Sequence, residues 1–191
     1  GFGPTCGSAL TRHPGVDHIA FTGGPATAAA VVRNSAENLA TTSLELGGKS
    51  PFIVFADADL ESAANAQVAG IFAATGQSCV AGSRLIVEAS VKDQFLAILK
   101  AKAEAIRIGS PLDMATEVGP LCTRRQRDHI ETVVAASLES GATLVTGGRI
   151  GAGEGFYYVP TILDCDAVSA ASVETELFGP VLSVLSFTSE E

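Results

Sequence analysis

The sequence predicts an α/β fold built on an open, parallel-rich sheet with flanking helices. Short apolar runs alternate with longer stretches of helical periodicity, which is the pattern of strand–helix–strand units. Punctuating residues stand at the junctions: glycine pairs after two of the runs, proline at a helix start, glycine at a helix end. Apolar residues make up 47% of the 191 positions and charged residues 17%, the balance of a globular rather than a disordered chain.

In chain order, GFGPTCG at 1–7 reads as a glycine-rich turn. HIAFT at 18–22 reads as a short strand. Gly23 and Gly24 then turn the chain, and Pro25 suits the first position of an alanine-rich helix over 25–39. The apolar runs 42–46 and 51–55 lie on either side of Gly47 and Gly48, where a domain crossing is expected. Asp57 or Asp59 can cap a helix through Ala74, with Glu61 in its first turn. Cys79 falls in the loop after that helix. RLIVE at 84–88 is a strand, and 91–108 repeats apolar positions at helical spacing. Another helix is expected over 124–140, ended by Gly141. Strands at 144–145, 159–163 and 181–187 complete the pattern, with a glycine-rich surface excursion over 147–155.

Charge and cysteine usage narrow the function classes. A net charge of −9 argues against a nucleic-acid partner, whose affinity comes from Lys and Arg neutralising phosphates. It leaves room for a small anionic cofactor, which backbone N–H groups can bind. No apolar run approaches the roughly 18 residues of a membrane span. Cys6, Cys79, Cys122 and Cys165 are far apart, which is neither a zinc pattern nor a dense disulfide framework. No metal is expected, and a reducing cytoplasmic setting is. The opening on Gly1 and the end on FTSEE lead to the expectation that the chain is a piece of a larger protein.

Five stretches can carry chemistry. GFGPTCG spaces its glycines much like a dinucleotide fingerprint, one position too long at the end. FTGG followed by Pro25 leaves free N–H groups at a helix N-terminus, which attracts phosphate. In ELGGKSP, Glu45 stands at a strand end as a candidate general base. In GQSCVAGSR, Cys79 lies in a polar loop between a helix and a strand, unlike the other three cysteines, which read as structural. In ETELFGPV, an acidic side chain can bind ribose hydroxyls and Phe178 can pack on a ring; the plainer alternative is a polar loop with one buried phenylalanine. His13, His18 and His129 show no ligand spacing and read as structural.

Together these stretches, in this order and at these intervals, resemble the aldehyde dehydrogenase superfamily. Glu45 to Cys79 spans 34 positions and Cys79 to Glu176 spans 97, and the resemblance runs the length of the chain. It implies Cys79 as catalytic nucleophile and Glu45 as general base. For the cofactor, NAD or NADP, it implies Gly3 on the adenosine side and Gly23 and Gly24 near the pyrophosphate. It also implies Leu46 and Gly47 as cofactor-binding residues, Gly47 and Gly48 keeping the backbone close at the hinge between the two domains, and Glu176 with Phe178 at the nicotinamide ribose. Gly24 replaces a residue that is often serine in the family, which removes a hydroxyl contact and keeps the backbone donors. Residues 1–46 would then be the C-terminal part of the NAD(P)-binding domain and 47–191 a catalytic domain incomplete at its C-terminus. The implied reaction oxidises an aldehyde to a carboxylic acid through a Cys79 thiohemiacetal and thioester, which Glu45 hydrolyses through water. The implied partners are a small aldehyde and further copies of the subunit, as a homodimer or homotetramer.

Three other readings have their own signatures. A CoA-acylating relative would pass the acyl group to CoA, and Glu45 argues against it. A folded, non-catalytic piece would lack a complete cofactor site. A Cys-His hydrolase would need a histidine such as His129 within reach of Cys79.

Overall fold

The computed structural model describes residues 1–190. The chain forms two compact units, Gly1–Gly48 and Lys49–Glu191.

The first unit opens with a wide, π-type helical turn, Gly3–Gly7, that runs into the short helix α1, Ser8–Thr11. The glycine-rich turn read from the sequence is therefore helical. The N–H groups of Thr5, Cys6 and Gly7 converge on the Phe2 carbonyl, and Pro4 occupies an early position where no N–H is needed. Strand β1, His18–Gly23, pairs in parallel with β2, Thr41–Leu46, and α2, Pro25–Ser35, connects them. Helix α2 starts at Pro25 as expected but stops at Ser35 rather than Leu39. The residues beyond it are claimed by other contacts. The Asn38 amide donates to the carbonyls of His13 and Val16, and Leu39 takes a φ of 57°.

The second unit is a five-stranded sheet in the order β3 (Pro51–Val54), β4 (Arg84–Glu88), β7 (Val181–Phe187), β6 (Thr161–Asp164), β5 (Thr143–Thr146). The first four strands are parallel, and β5 closes one edge antiparallel to β6. Helices α3 (Leu60–Phe72) and α4 (Lys92–Ala105) pack into one core with Val54, Leu85, Ile162 and Leu182. Helices α5 (Arg124–Glu139) and α6 (Ala171–Glu174) pack into a second with Leu163, Val181 and Leu185. Neighbouring residues of β6 and β7 thus serve opposite cores, as the pleat of a sheet covered on both faces requires. Each large side chain fully buried this way contributes roughly 1.5–3 kcal/mol by leaving water.

Element ends shift where a specific bond intervenes. Asp59, not Asp57, caps α3: its carboxylate accepts from the Ser62 N–H at 2.8 Å. That contact holds the Asp59 carboxyl below the usual aspartate range. Helix α4 stops at Ala105, because the Arg107 N–H donates to the Glu117 carboxylate at 2.9 Å and Ile108 bridges to Val118. Strand β6 begins at Thr161 rather than 159. Pro160 has no N–H for the ladder, and the Val159 N–H is taken by the Arg149 carbonyl.

Candidate active site

The loop that carries Cys79 begins in strained backbone. Ala74 (φ 49°, ψ 30°), Thr75 (φ 58°, ψ 30°) and Gly76 (φ 69°) form three consecutive left-handed residues directly after α3. An L-residue pays roughly 1–2 kcal/mol for this conformation, so neighbouring structure must impose it. Three contacts, from the stretch 119–122 and from Gly179, do so. The Thr75 hydroxyl donates to the Gly119 carbonyl at 3.1 Å. The Cys122 N–H donates to the Gln77 side-chain oxygen at 3.1 Å. Gly76 lies so close to the Gly179 carbonyl that a Cβ there would stand 2.2 Å from its oxygen. Past the cysteine, the Ser50 hydroxyl donates to the Cys79 carbonyl at 3.4 Å, and the buried Gln67 amide donates to the Gly82 carbonyl at 2.7 Å. Cys79 is exposed between these supports, and its own N–H makes no hydrogen bond among the described residues. Gly76→Ala combines positive φ with the clash against Gly179. It is expected to cost about 2–4 kcal/mol, read as a lowered urea midpoint with unchanged slope.

This loop sits at the amino ends of the parallel strands. Ser50 precedes β3, residues 79–83 lead into β4, and Gly179-Pro180 lead into β7. The rule that α/β sheets bind ligands at strand carboxyl ends therefore does not describe Cys79.

The 176–180 loop meets the Cys79 loop through Gly179. Glu176 is half-buried and Leu177 buried, whereas Phe178 is exposed in a left-handed conformation with φ 48°. A buried phenylalanine is not what this loop holds. The Gln126 amide donates to the Leu177 carbonyl and, at 3.4 Å, to that of Phe178. Sequence reasoning missed Gln126. Its N–H is taken by the Thr123 hydroxyl at 3.2 Å, so the Thr-x-x-Gln spacing reads as an ordinary helix cap. Gln67 was equally hidden, although a glutamine on the apolar face of α3 was a visible signal.

Lys49 has a buried Nζ with no hydrogen-bond partner among the described residues, and so does the Nε of Arg84. Burial, and then the Arg84 charge, lower the Lys49 pKa to about 8, while Cys165 and Glu176 pull the other way. The unfolded chain therefore holds more protons than the folded one between about pH 8 and the ordinary lysine value of 10.5. Stability gains from Lys49 as pH rises through that window. Relative to Lys49→Met, the wild-type unfolding free energy should rise by on the order of 2 kcal/mol from pH 7.5 to 10.5 in parallel urea titrations.

Other expectations map as follows. Cys165 is buried, but Cys6 and Cys122, read as structural thiols, are exposed. His129 is exposed and makes no hydrogen bond to Cys79 among the described residues. The described residues contain no group of three or more His, Cys, Asp or Glu side chains able to hold a metal. None of their helices is long and apolar enough to cross a membrane.

In the first unit, Glu45 is exposed one residue before the end of β2, opposite Thr22 in the ladder, with Leu46 opposite Gly23. Gly47 follows, half-buried. A Cβ at Gly23 would stand 2.6 Å from the Phe21 ring. Gly24 is extended (φ −76°, ψ 153°) at the N-cap of α2, with no side-chain cap and open space around it. That leaves the positive end of α2 unscreened. A cleft of about 770 Å³ lies alongside, lined by Gly3, Pro4, Ser8, Ala26, Thr27 and Ala30 among others. Its size and the bare helix terminus suit a nucleotide.

The model of the aldehyde dehydrogenase family matches residues 1–191. Among curated proteins, the chain is 65% identical over its whole length to (Z)-2-((N-methylformamido)methylene)-5-hydroxybutyrolactone dehydrogenase of Acinetobacter baylyi. It is 43% identical, over 97% of its length, to a betaine aldehyde dehydrogenase of Rhizobium leguminosarum bv. trifolii. The chain spans 39% of the length of each. Among solved structures, PnpE in complex with nicotinamide adenine dinucleotide superposes with a TM-score of 0.95 at 40% identity, over 99% of this chain and 39% of that one. Betaine aldehyde dehydrogenase of Staphylococcus aureus, solved with NAD+ and a BME-modified cysteine, gives 0.93 at 37% identity, over 100% of this chain and 40% of that one.

Proposed function

Because the chain belongs to the aldehyde dehydrogenase family, we propose that it takes part in NAD(P)-dependent oxidation of a small aldehyde to a carboxylic acid, with Cys79 as the nucleophile. The observation that carries this reading is the Cys79 loop: an exposed thiol on backbone braced from three sides, with a free N–H beside it. In this reading 1–46 end the cofactor domain and 47–191 belong to the catalytic domain.

Gly3, Gly23 and Gly24 would hold the adenosine diphosphate part of the cofactor at the cleft and the α2 terminus. Glu176 would bind the nicotinamide ribose, Phe178 would flank it, and Leu46 and Gly47 would be further cofactor-binding residues. When bound, NAD(P) supplies a hydride acceptor. The chain's own residues do the rest. The Cys79 thiolate adds to the carbonyl carbon, and the negative charge that develops on the oxygen is met by the Cys79 N–H. After oxidation the acyl group is held on sulfur as a thioester. Glu45 takes a proton from the water that cleaves it, which releases the acid and frees the thiol.

Site-resolved alkylation tests the nucleophile without needing turnover. With iodoacetamide and mass spectrometry, Cys79 should react at least about tenfold faster than the exposed Cys6 and Cys122, and added NAD should change its rate alone. Equal rates at the three exposed thiols would remove the support for Cys79.

A further inference from the structure

We propose that Thr75 is a positioning residue for Cys79, and that its hydroxyl locks the left-handed turn 74–76 which fixes where the thiol loop begins. The inference rests on the reading of Cys79 as nucleophile. It starts from a conformation that Thr75 would not choose. A β-branched side chain at φ 58° is a genuine outlier, because its second branch crowds the backbone. Locally the turn is closed by one backbone bond, from the Gln77 N–H to the Ala74 carbonyl at 3.0 Å. Thr75 is 5% exposed, and its hydroxyl reaches 44 positions along the chain to the Gly119 carbonyl. If the turn relaxed to ordinary backbone, that half-buried carbonyl would lose its donor and Gly76 would leave its seat against Gly179.

Position also matters. Thr75 stands four residues before Cys79, and the next brace, Gln77 to Cys122, stands two before it. The Thr75 bond is thus the first of two that direct the loop away from α3, and the only side-chain hydrogen bond from the left-handed residues themselves. A residue whose role was merely to fill the core would need no hydroxyl. A glycine would adopt the turn at lower strain.

Three variants separate these roles. Thr75→Gly accepts the left-handed turn but has no hydroxyl. Thr75→Ser keeps the hydroxyl without the methyl. Thr75→Val keeps the shape without the hydroxyl. In each, the alkylation rate of Cys79 is divided by that of Cys6 in the same chain, below a melting temperature measured separately. Thr75→Gly is expected to lower this ratio roughly tenfold while the chain stays folded, and Thr75→Ser to keep it within about twofold of wild type. Thr75→Val should fall with Thr75→Gly wherever it folds. A ratio unchanged in Thr75→Gly, with wild-type Cys79 fast, overturns the positioning role alone. A fall that Thr75→Ser shares in full also overturns it, since the methyl rather than the hydroxyl would then be at work. A wild-type ratio near one overturns the nucleophile and the positioning role together.

Discussion

Cys79→Ala is expected to reduce NAD(P)-dependent aldehyde oxidation by at least about 10⁴-fold in the polypeptide that carries this sequence, measured as NAD(P)H formation. The size follows from the proposed chemistry. Without sulfur no bond forms to the carbonyl carbon, so neither the oxidation nor the hydrolysis has its intermediate. The substitution is also clean. The Cys79 side chain is exposed and its thiol makes no hydrogen bond among the described residues, so unfolding free energy should stay within about 0.5 kcal/mol of wild type. NAD affinity, read by fluorescence titration, should be retained. Retained turnover would show that another group is the nucleophile, with the exposed Cys122 the next to replace.

Glu45→Gln should act later in the cycle. The amide keeps the size of the side chain and removes the base, so steady-state turnover should fall by about 10²–10⁴-fold. Acylation does not need this base, so a rapid burst of NAD(P)H approaching one per site should survive, followed by slow release of acid. Quenched-flow measurement of the burst separates this from a binding defect, in which burst and steady state would shrink together. The exposed Glu45 carboxylate makes no ion pair or hydrogen bond among the described residues, so loss of stability would not confuse the result. If small thiols added to Glu45→Gln restore turnover by taking the acyl group, the lost function lies in water activation.

Much of the fold was legible because local and tertiary preferences agree. HIAFT, RLIVE and the run 181–187 are apolar, β-prone and bounded by turns, and each became a strand within a residue of its expected limits. Asp59 and Gly141 mark helix ends by chemistry that acts within one turn. The failures lie where distant contacts override local preference. Glycines and a proline at 1–7 argue for a turn, yet the segment is helical and continues into α1, which the Asn34 amide ties to α2 through Thr11 at 2.9 Å. Ala74 and Thr75 are poor choices for left-handed backbone, and no window of sequence around them announces Gly119 or Gly179. In the candidate site, residue types pointed to Cys79 and Glu45. Of the supports of the loop only Gln67, on the apolar face of α3, left a signal; Thr75, Gln77 and Gln126 are ordinary polar residues until their partners are known.

The partners of Thr75, Gly76 and Gln77 in the turn before Cys79 are made by the ribosome after the cysteine itself, unlike Ser50 and Gln67, which precede it. Gly119 lies 40 positions downstream, Cys122 43 and Gly179 100. At roughly 5–20 residues per second, Gly179 is added on the order of 5–20 s after Cys79. Throughout that interval the thiol belongs to a nascent chain whose turn 74–76 lacks its Gly179 contact. Reactivity that the proposal assigns to the finished loop is thereby withheld from the newborn polypeptide. On that proposal, the order of synthesis leaves the cysteine unarmed until Gly119, Cys122 and Gly179 have been added.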